Sequence, residues 1–549
     1  AKIKEFEFVI EGEGFPTYNT TTSNSFVKYM FDAPNRRYNL SVSGRSHRGI
    51  EEVQISVEVI CKYVRRELRT LTAIDRKKFF ETARLLWVTS KHYGKVHYGD
   101  NFKPIRHFIE EHTQLAGTME CDHMHDGLGF MTNHLGLSAE FELALQSVDP
   151  VVSLPYWDYT IEAQWAIDNH DSNFSWITQA EIFDPDWFGR SSKSQRIVTE
   201  GRWAYTNVEV ANNKTVVYNG YGLIRAPWNA NGSPYVSRST NEMCGRAPMA
   251  WVTCTSHYNL LTHYNSWYSF AWQLPYIPHG PVHAFIGGSF GCSDVFDWAE
   301  TEVGLSSELS FDLRTQMYSF LKNLYRGSDN LVDSQYTTNG SLISCPTYCG
   351  SDVDQMSCAC TCTQNKTDPD WYFGYSEYIC EISPAFCTDL SRDQQSLVVE
   401  KMCEAGWALT GDSLEAGSPA DISFWPMHPT IERLWQYKKL GASGGFINED
   451  WISHCETSEC PSLWKNCSGH GVNDVLKWKN LFDNDDYFYT NMDLYTLADP
   501  HNRDGLPYIF DNFKWDHCTD YDFTSLLTTT SQDDDASSTT TTTDMDPAP

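Results

Sequence analysis

The first 60 residues alternate polar and apolar side chains, as in KIKEFEFVIEG, YNLSVSG and VQISVEVI. A period of two marks half-exposed strands, and it predicts a β-rich N-terminal arm over residues 1–62. From Tyr63 the period changes. VRRELRTLTAIDRKKFFETARLLWVTSKH predicts two helices, the second opened by Thr72 with Asp75 three residues on, as in a capping box. Phe108-Ile-Glu-Glu-His112 fits a helix with Phe108 and His112 on one face. His134 opens HLGLSAEFELALQSV, whose Leu137, Phe141 and Leu145 form a stripe that predicts burial in a core. Residues 160–275 lack a clear period and read as long surface excursions, and the pattern sharpens again at Pro278.

Composition adds the compartment and excludes some partners. Lys+Arg 41 against Asp+Glu 72 gives −31, which argues against nucleic acid or an anionic membrane as partner. No apolar run approaches the ~20 residues that span a bilayer. The 17 cysteines, with sequons at Asn19, Asn39, Asn173, Asn213, Asn231, Asn339, Asn365 and Asn466, point to a secreted protein. SCPTYCGSDVDQMSCACTCTQ is poor in apolar residues and reads as a disulfide-stapled insertion, with a zinc site as the other reading. Residues 437–523 are acidic and aromatic and could form a cover over a site. The Thr/Asp-rich tail, residues 524–549, reads as disordered.

Histidines supply the candidate chemistry. His112, His123, His125 and His134 crowd one short stretch, and His279, His283 and His428 form a second set. An imidazole needs partners for both ring nitrogens, so this density points to metal. His107 and His112 lie about 140° apart on a helix, so one of them points inward; His112 is preferred, with His107 the alternative. His279 and His283, four apart, suit one ion on one helical face. Three imidazoles per ion leave room for an outside ligand, and two such sets suggest two ions close together.

Several longer pieces resemble the type 3 copper proteins, the family of tyrosinases, catechol oxidases and hemocyanins. VRRELRTL resembles the family's lead-in, LPYWDY its PYWD signature, and HGPVH followed by Gly287-Gly288 the start of its second copper site. His125 and His134 keep the family's spacing, Glu142 falls where its FE pair does, and Asp421, His428, Glu432 and Arg433 resemble its D…HH…(D/E)R element. The resemblance implies a mainly α fold: an antiparallel helical bundle housing a dinuclear copper site, over residues 63–436. The β-rich arm, long loops and the cysteine-rich insertion at 292–415 would be appended to it. It also implies that His112, His125 and His134 bind one copper and His279, His283 and His428 the other. Family members use O2 to oxidise o-diphenols to o-quinones, and some hydroxylate monophenols. The partner would be a small phenol or a protein-bound tyrosine or DOPA; nothing in the chain speaks to oligomeric state.

Departures shape the expectation. Monophenolase members carry an Asn and a Glu where this chain has Gly280 and Tyr276, which favours diphenol oxidation. Asp421 and Glu432 are candidates for orienting the ligand helices, or for ordinary capping and surface pairing. Cys121 resembles a family cysteine that forms a thioether with a copper-ligand histidine, here His123 or His125, and a disulfide is the alternative. Setting Cys121 aside leaves 16 cysteines for eight disulfides. A hemocyanin-like oxygen carrier and an inactive structural relative are the competing functions.

Overall fold

The computed structural model describes residues 3–527, apart from residues 13, 32, 35, 47–50, 173, 240, 248–250, 327–341, 351, 354, 442–444, 452–466 and 483–486. The alternating N-terminal segments form one antiparallel sheet of β1 (Ile3–Gly12), β2 (Tyr18–Thr22), β3 (Arg37–Ser46) and β4 (Glu51–Ile60), in the order β2-β1-β3-β4. Phe8 lies opposite Thr20 and Val42, and Ile10 opposite Tyr18 and Leu40, so the apolar positions share one face. Ion pairs of Arg37 with Asp504 and Arg503 with Glu58 link this sheet to the rest of the chain.

Beyond the sheet the molecule is mainly helical. The elements that matter for the site are β5 (Tyr63–Arg65), α1 (Ala73–Val88), α2 (Ile105–Ala116), α3 (Phe130–Val148), α4 (Gly280–Gly287), α5 (Ser307–Arg326), α6 (Phe424–Leu440) and β6 (Tyr508–Phe510). Thr72 caps α1 by accepting from the Asp75 backbone N–H at 3.1 Å. Helices α2, α3 and α6 meet through aromatic rings. Trp425 stacks on Phe141 with centroids 3.5 Å apart, and Phe108 sets its edge against both at 5.3 and 5.4 Å. Each such pair adds about 0.5–1.5 kcal/mol beyond its buried area. That joint fixes the three helices that carry His112, His134 and His428.

Three expectations are corrected here. Residues 160–275 are no surface excursion: Trp203, Trp228, Trp251, Arg225 and Arg238 are all buried. A segment without helical or strand period can still be core when its backbone groups are paired by buried side chains, and Arg225 alone donates to the carbonyls of Asn231, Ser233 and Tyr235. The sequon at Asn231 is likewise buried, its amide donating to Ser237 Oγ and the Thr410 carbonyl, so no glycan can be attached there in the folded chain. Asn19, Asn39, Asn213 and Asn365 are exposed, whereas Asn173, Asn339 and Asn466 lie outside the described residues. Finally, the cysteine arithmetic changes. Cys345–Cys360, Cys349–Cys358, Cys362–Cys403 and Cys380–Cys387 are disulfides, which removes the zinc reading. Cys244–Cys292, Cys254–Cys518 and Cys121–Cys467 tie distant parts of the chain together, while Cys61 donates its thiol to the Phe31 carbonyl.

The segment after residue 466 packs into the helical body. β6 pairs in parallel with β5, and Trp478 lies so close to α3 that a Cβ on Gly136 would meet its ring at 2.2 Å. Residues 528–549, most of the tail read as disordered, lie outside the described residues.

Candidate metal centre

Six of the seven histidines in the two sets converge, and His123 does not. Ligand-capable nitrogens of His112, His125 and His134 lie within 4.8 Å of one another, and so do those of His134, His279 and His428. His134 and His428 stack, with centroids 4.2 Å apart and planes 5° apart. His283 falls just outside the second group, its ring 4.3 Å from that of His279. His279 is not on a regular helix with His283, as their spacing alone suggested. It ends a turn of π-helix, Pro275–His279, in which Gly280 N–H reaches back to the Pro275 carbonyl. Pro278 has no N–H to donate, and the wide turn accommodates that.

The backbone decides which nitrogen faces inward. Nδ1 of His112 donates to the Ala416 carbonyl at 2.7 Å, that of His134 to Phe130 at 2.7 Å, and that of His279 to Pro275 at 3.2 Å. His283 Nδ1 donates to the Ser413 carbonyl. A carbonyl only accepts, so in each ring Nδ1 carries the proton and Nε2 keeps a free lone pair. Those four Nε2 atoms are buried and have no hydrogen-bond partner, as are both ring nitrogens of His428. Burial and the neighbouring His125 push His112 down to about 3; burial likewise pulls His283 down to about 4. His134, His279 and His428 are held well below the ordinary imidazole value, chiefly by burial. Neutral rings with free, inward lone pairs form a donor set that fits two soft or borderline metal ions.

His125 is oriented by charge. Its Nδ1 meets Asp122 Oδ1 at 3.0 Å, and the same oxygen accepts from the backbone N–H groups of Met124 and His125. Burial would raise the Asp122 carboxyl, but His125, Arg326 and Lys322 outweigh it and hold it well below the usual range. Asp122 was not among the residues singled out above; its place three before His125 was the available signal. Asp122→Asn is expected to weaken metal affinity about 10–100-fold, as loss of a ligand-orienting partner does, read by competition titration with a metal indicator. Unchanged affinity would show that His125 needs no such partner.

One stretch anchors both sets, since Ala416 holds His112 and Ser413 holds His283. It is pinned in turn by Asp412, which takes the Arg225 guanidinium at 2.7 and 2.8 Å and the Ser237 N–H at 2.6 Å. Asp421 and Glu432 are buried, which rules out surface pairing. Asp421 takes Arg238 through both oxygens at 2.5 and 2.6 Å and accepts from the Ser423 N–H and hydroxyl ahead of α6. Glu432 accepts from Arg65 at 2.8 Å and from the Tyr508 hydroxyl at 2.7 Å. Arg65 also grips Glu142 on α3, with its shortest contact at 2.6 Å. The buried guanidinium thus joins the helix of His134 to the helix of His428.

The remaining candidates sit outside the cluster. His107 Nε2 faces Glu140 at 2.9 Å, which leaves His112 as the inward ring of α2. Cys121 is bonded to Cys467, so the expected thioether is corrected: a sulfur shared with Cys467 has no valence left for an imidazole carbon. His123 lies beside that disulfide, its Nδ1 on the Ser468 carbonyl at 2.8 Å. Tyr276 is 50% exposed and its hydroxyl donates to Asp126 at 3.4 Å. Gly280 directly follows His279 and offers no side chain. Phe130 and Phe424, unflagged in the sequence, wall the cluster: Phe130 lies 4.5 Å from His134 and 4.8 Å from His279, and Phe424 4.2 Å from His428.

Residues 91–300 match the family model described as the common central domain of tyrosinase. The matched span contains five of the six converging histidines; His428 lies beyond it and is delivered by α6. No curated protein matches the chain.

Proposed function

We propose that the chain is a tyrosinase-like type 3 copper protein and a secreted oxidase that uses O2 to convert catechols to o-quinones; the match of residues 91–300 to the central domain of tyrosinase supports this reading. The observation that supports this reading most is the set of inward, unpartnered Nε2 atoms on four backbone-anchored histidines, together with His428. His112, His125 and His134 would hold one copper, and His279, His283 and His428 the second, within an antiparallel helical bundle. The copper pair, when bound, supplies the electron transfer from catechol to O2. Burial keeps His112, His134, His279, His283 and His428 neutral, carbonyls and Asp122 fix the direction of the rings, and Phe130 and Phe424 wall the centre. Those rings exclude water and offer apolar faces to a phenol.

Gly280 and Tyr276 present no general base at the second histidine set, because one lacks a side chain and the other donates to Asp126. Catechols already carry the hydroxyl that a monophenol must gain, so they are the favoured substrates, free or on a protein-bound DOPA. The seven disulfides among the described residues support an oxidising, extracellular setting.

The deciding experiment measures copper content together with O2 uptake on a catechol and on the matching monophenol. Two coppers per chain with turnover of the catechol alone supports the proposal. Two coppers with reversible O2 binding and no turnover would replace it with an oxygen carrier. Failure to take up copper after reconstitution would overturn the ligand assignment.

A further inference from the structure

A cleft of about 1000 Å³ opens along α1, well apart in chemistry from the histidine cluster. Its lining includes Lys77, Lys78, Arg84 and Arg202 against only Glu81 and Asp149, which leaves two positive charges over in a chain of net charge −31. The lysines are engaged: Lys77 lies 3.7 Å from Glu81 and Lys78 3.3 Å from Asp149. The excess therefore rests on Arg84 and Arg202, neither of which forms an ion pair among the described residues. Arg202 Nη1 is buried and makes no hydrogen bond. Burial lowers the affinity of both guanidinium groups for their proton, with no opposing acid at Arg84.

Both heads are held in place. Arg84 lies over the Trp203 ring at 5.8 Å and Arg202 over Phe80 at 5.3 Å, and those two rings contact each other edge to face. Burial of a guanidinium is costly; at Arg84 no acid offsets that cost, at Arg202 Glu81 and Asp186 offset part of it, and two guanidinium groups lining one cleft suit an oxyanion. Beside them, Ile74, Leu85 and Val148 supply apolar wall.

We propose that this cleft binds a small organic anion, with its carboxylate, sulfate or phosphate head between Arg84 and Arg202 and its apolar body on Ile74, Leu85 and Val148. The site is independent of the metal centre and of the oxidase reading. Phenyl sulfate is a suitable probe, since it has the head and an apolar ring but no free phenol to oxidise. Calorimetry on the full-length, copper-reconstituted protein should show saturable binding of one phenyl sulfate. Inorganic sulfate should bind at least about tenfold more weakly. Arg84→Gln with Arg202→Gln should weaken phenyl sulfate binding at least about tenfold at unchanged copper content. Leu85→Glu, which spares both arginines but puts a carboxylate into the cleft, should do the same and serves if the double variant fails to fold. No saturable binding, or binding that survives in either folded variant, overturns the proposal. Equal affinity for inorganic sulfate overturns the role of the apolar wall.

Discussion

His134→Ala will give a chain whose O2 uptake on catechol does not exceed that of the copper-free protein. His134 is the one imidazole whose nitrogen belongs to both close groups, and its ring stacks on His428 at 4.2 Å. On the proposed assignment its removal would take a ligand from one copper and the packing face of a ligand from the other, so copper content should fall with activity. The change also deletes a fully buried ring and its Nδ1 bond to the Phe130 carbonyl, so folding is checked separately from copper loss. The control is His107→Ala, on the helix of His112, whose ring faces Glu140 and which should keep full copper content. Metal analysis of both variants, with circular dichroism to verify folding, gives the answer. Retention of two coppers and of turnover in His134→Ala would remove this residue from the centre.

The second large effect belongs to a residue that touches no metal ligand. Arg65→Met is expected to destabilise the protein by about 3–5 kcal/mol, the usual consequence of taking one member from a buried ion pair. Arg65 is buried on β5, with Glu142 at 2.6 Å, Glu432 at 2.8 Å and its guanidinium 3.4 Å above the Tyr508 ring. Burial pushes the Glu432 carboxyl up, and Arg65 is the main group that opposes it. Without Arg65, two carboxyls remain in an apolar interior, one on the helix of His134 and one on the helix of His428. The helices should separate slightly, so copper affinity should fall along with the denaturant midpoint. Arg65→Met combined with Glu142→Gln should recover part of the loss, because it removes one stranded charge. A midpoint that does not move in the single variant would show that the network carries no net stability.

Much of the architecture was legible in the chain because its cause is local. Alternation in KIKEFEFVIEG reflects a strand with two unlike faces, and Thr72 ahead of α1 reflects unsatisfied N–H groups at a helix start. The histidines that converge were visible too, since imidazoles spaced to meet on one helix or loop leave a mark in the spacing itself. What stayed hidden has causes that are remote in sequence. Buried Arg65, Arg225 and Arg238 carry the same letter as surface arginines, and only the fold shows which carboxylates reach them. Asn231 satisfies the glycosylation pattern, yet its amide is used up by Thr410 and Ser237. Cys121 sits two residues before His123, but closure of the chain gives its sulfur to Cys467.

The sequence by itself marked the N-terminal strands, the start of α1 and the imidazoles that converge, because side-chain chemistry and periodicity are properties of short stretches; the helix expected over VRRELRTL is instead β5 and a turn. Only the tertiary structure decided how those imidazoles are aimed. Their Nδ1 anchors are main-chain carbonyls of Ala416, Phe130, Pro275 and Ser413, and every residue has a carbonyl, so no pattern of letters could mark these four.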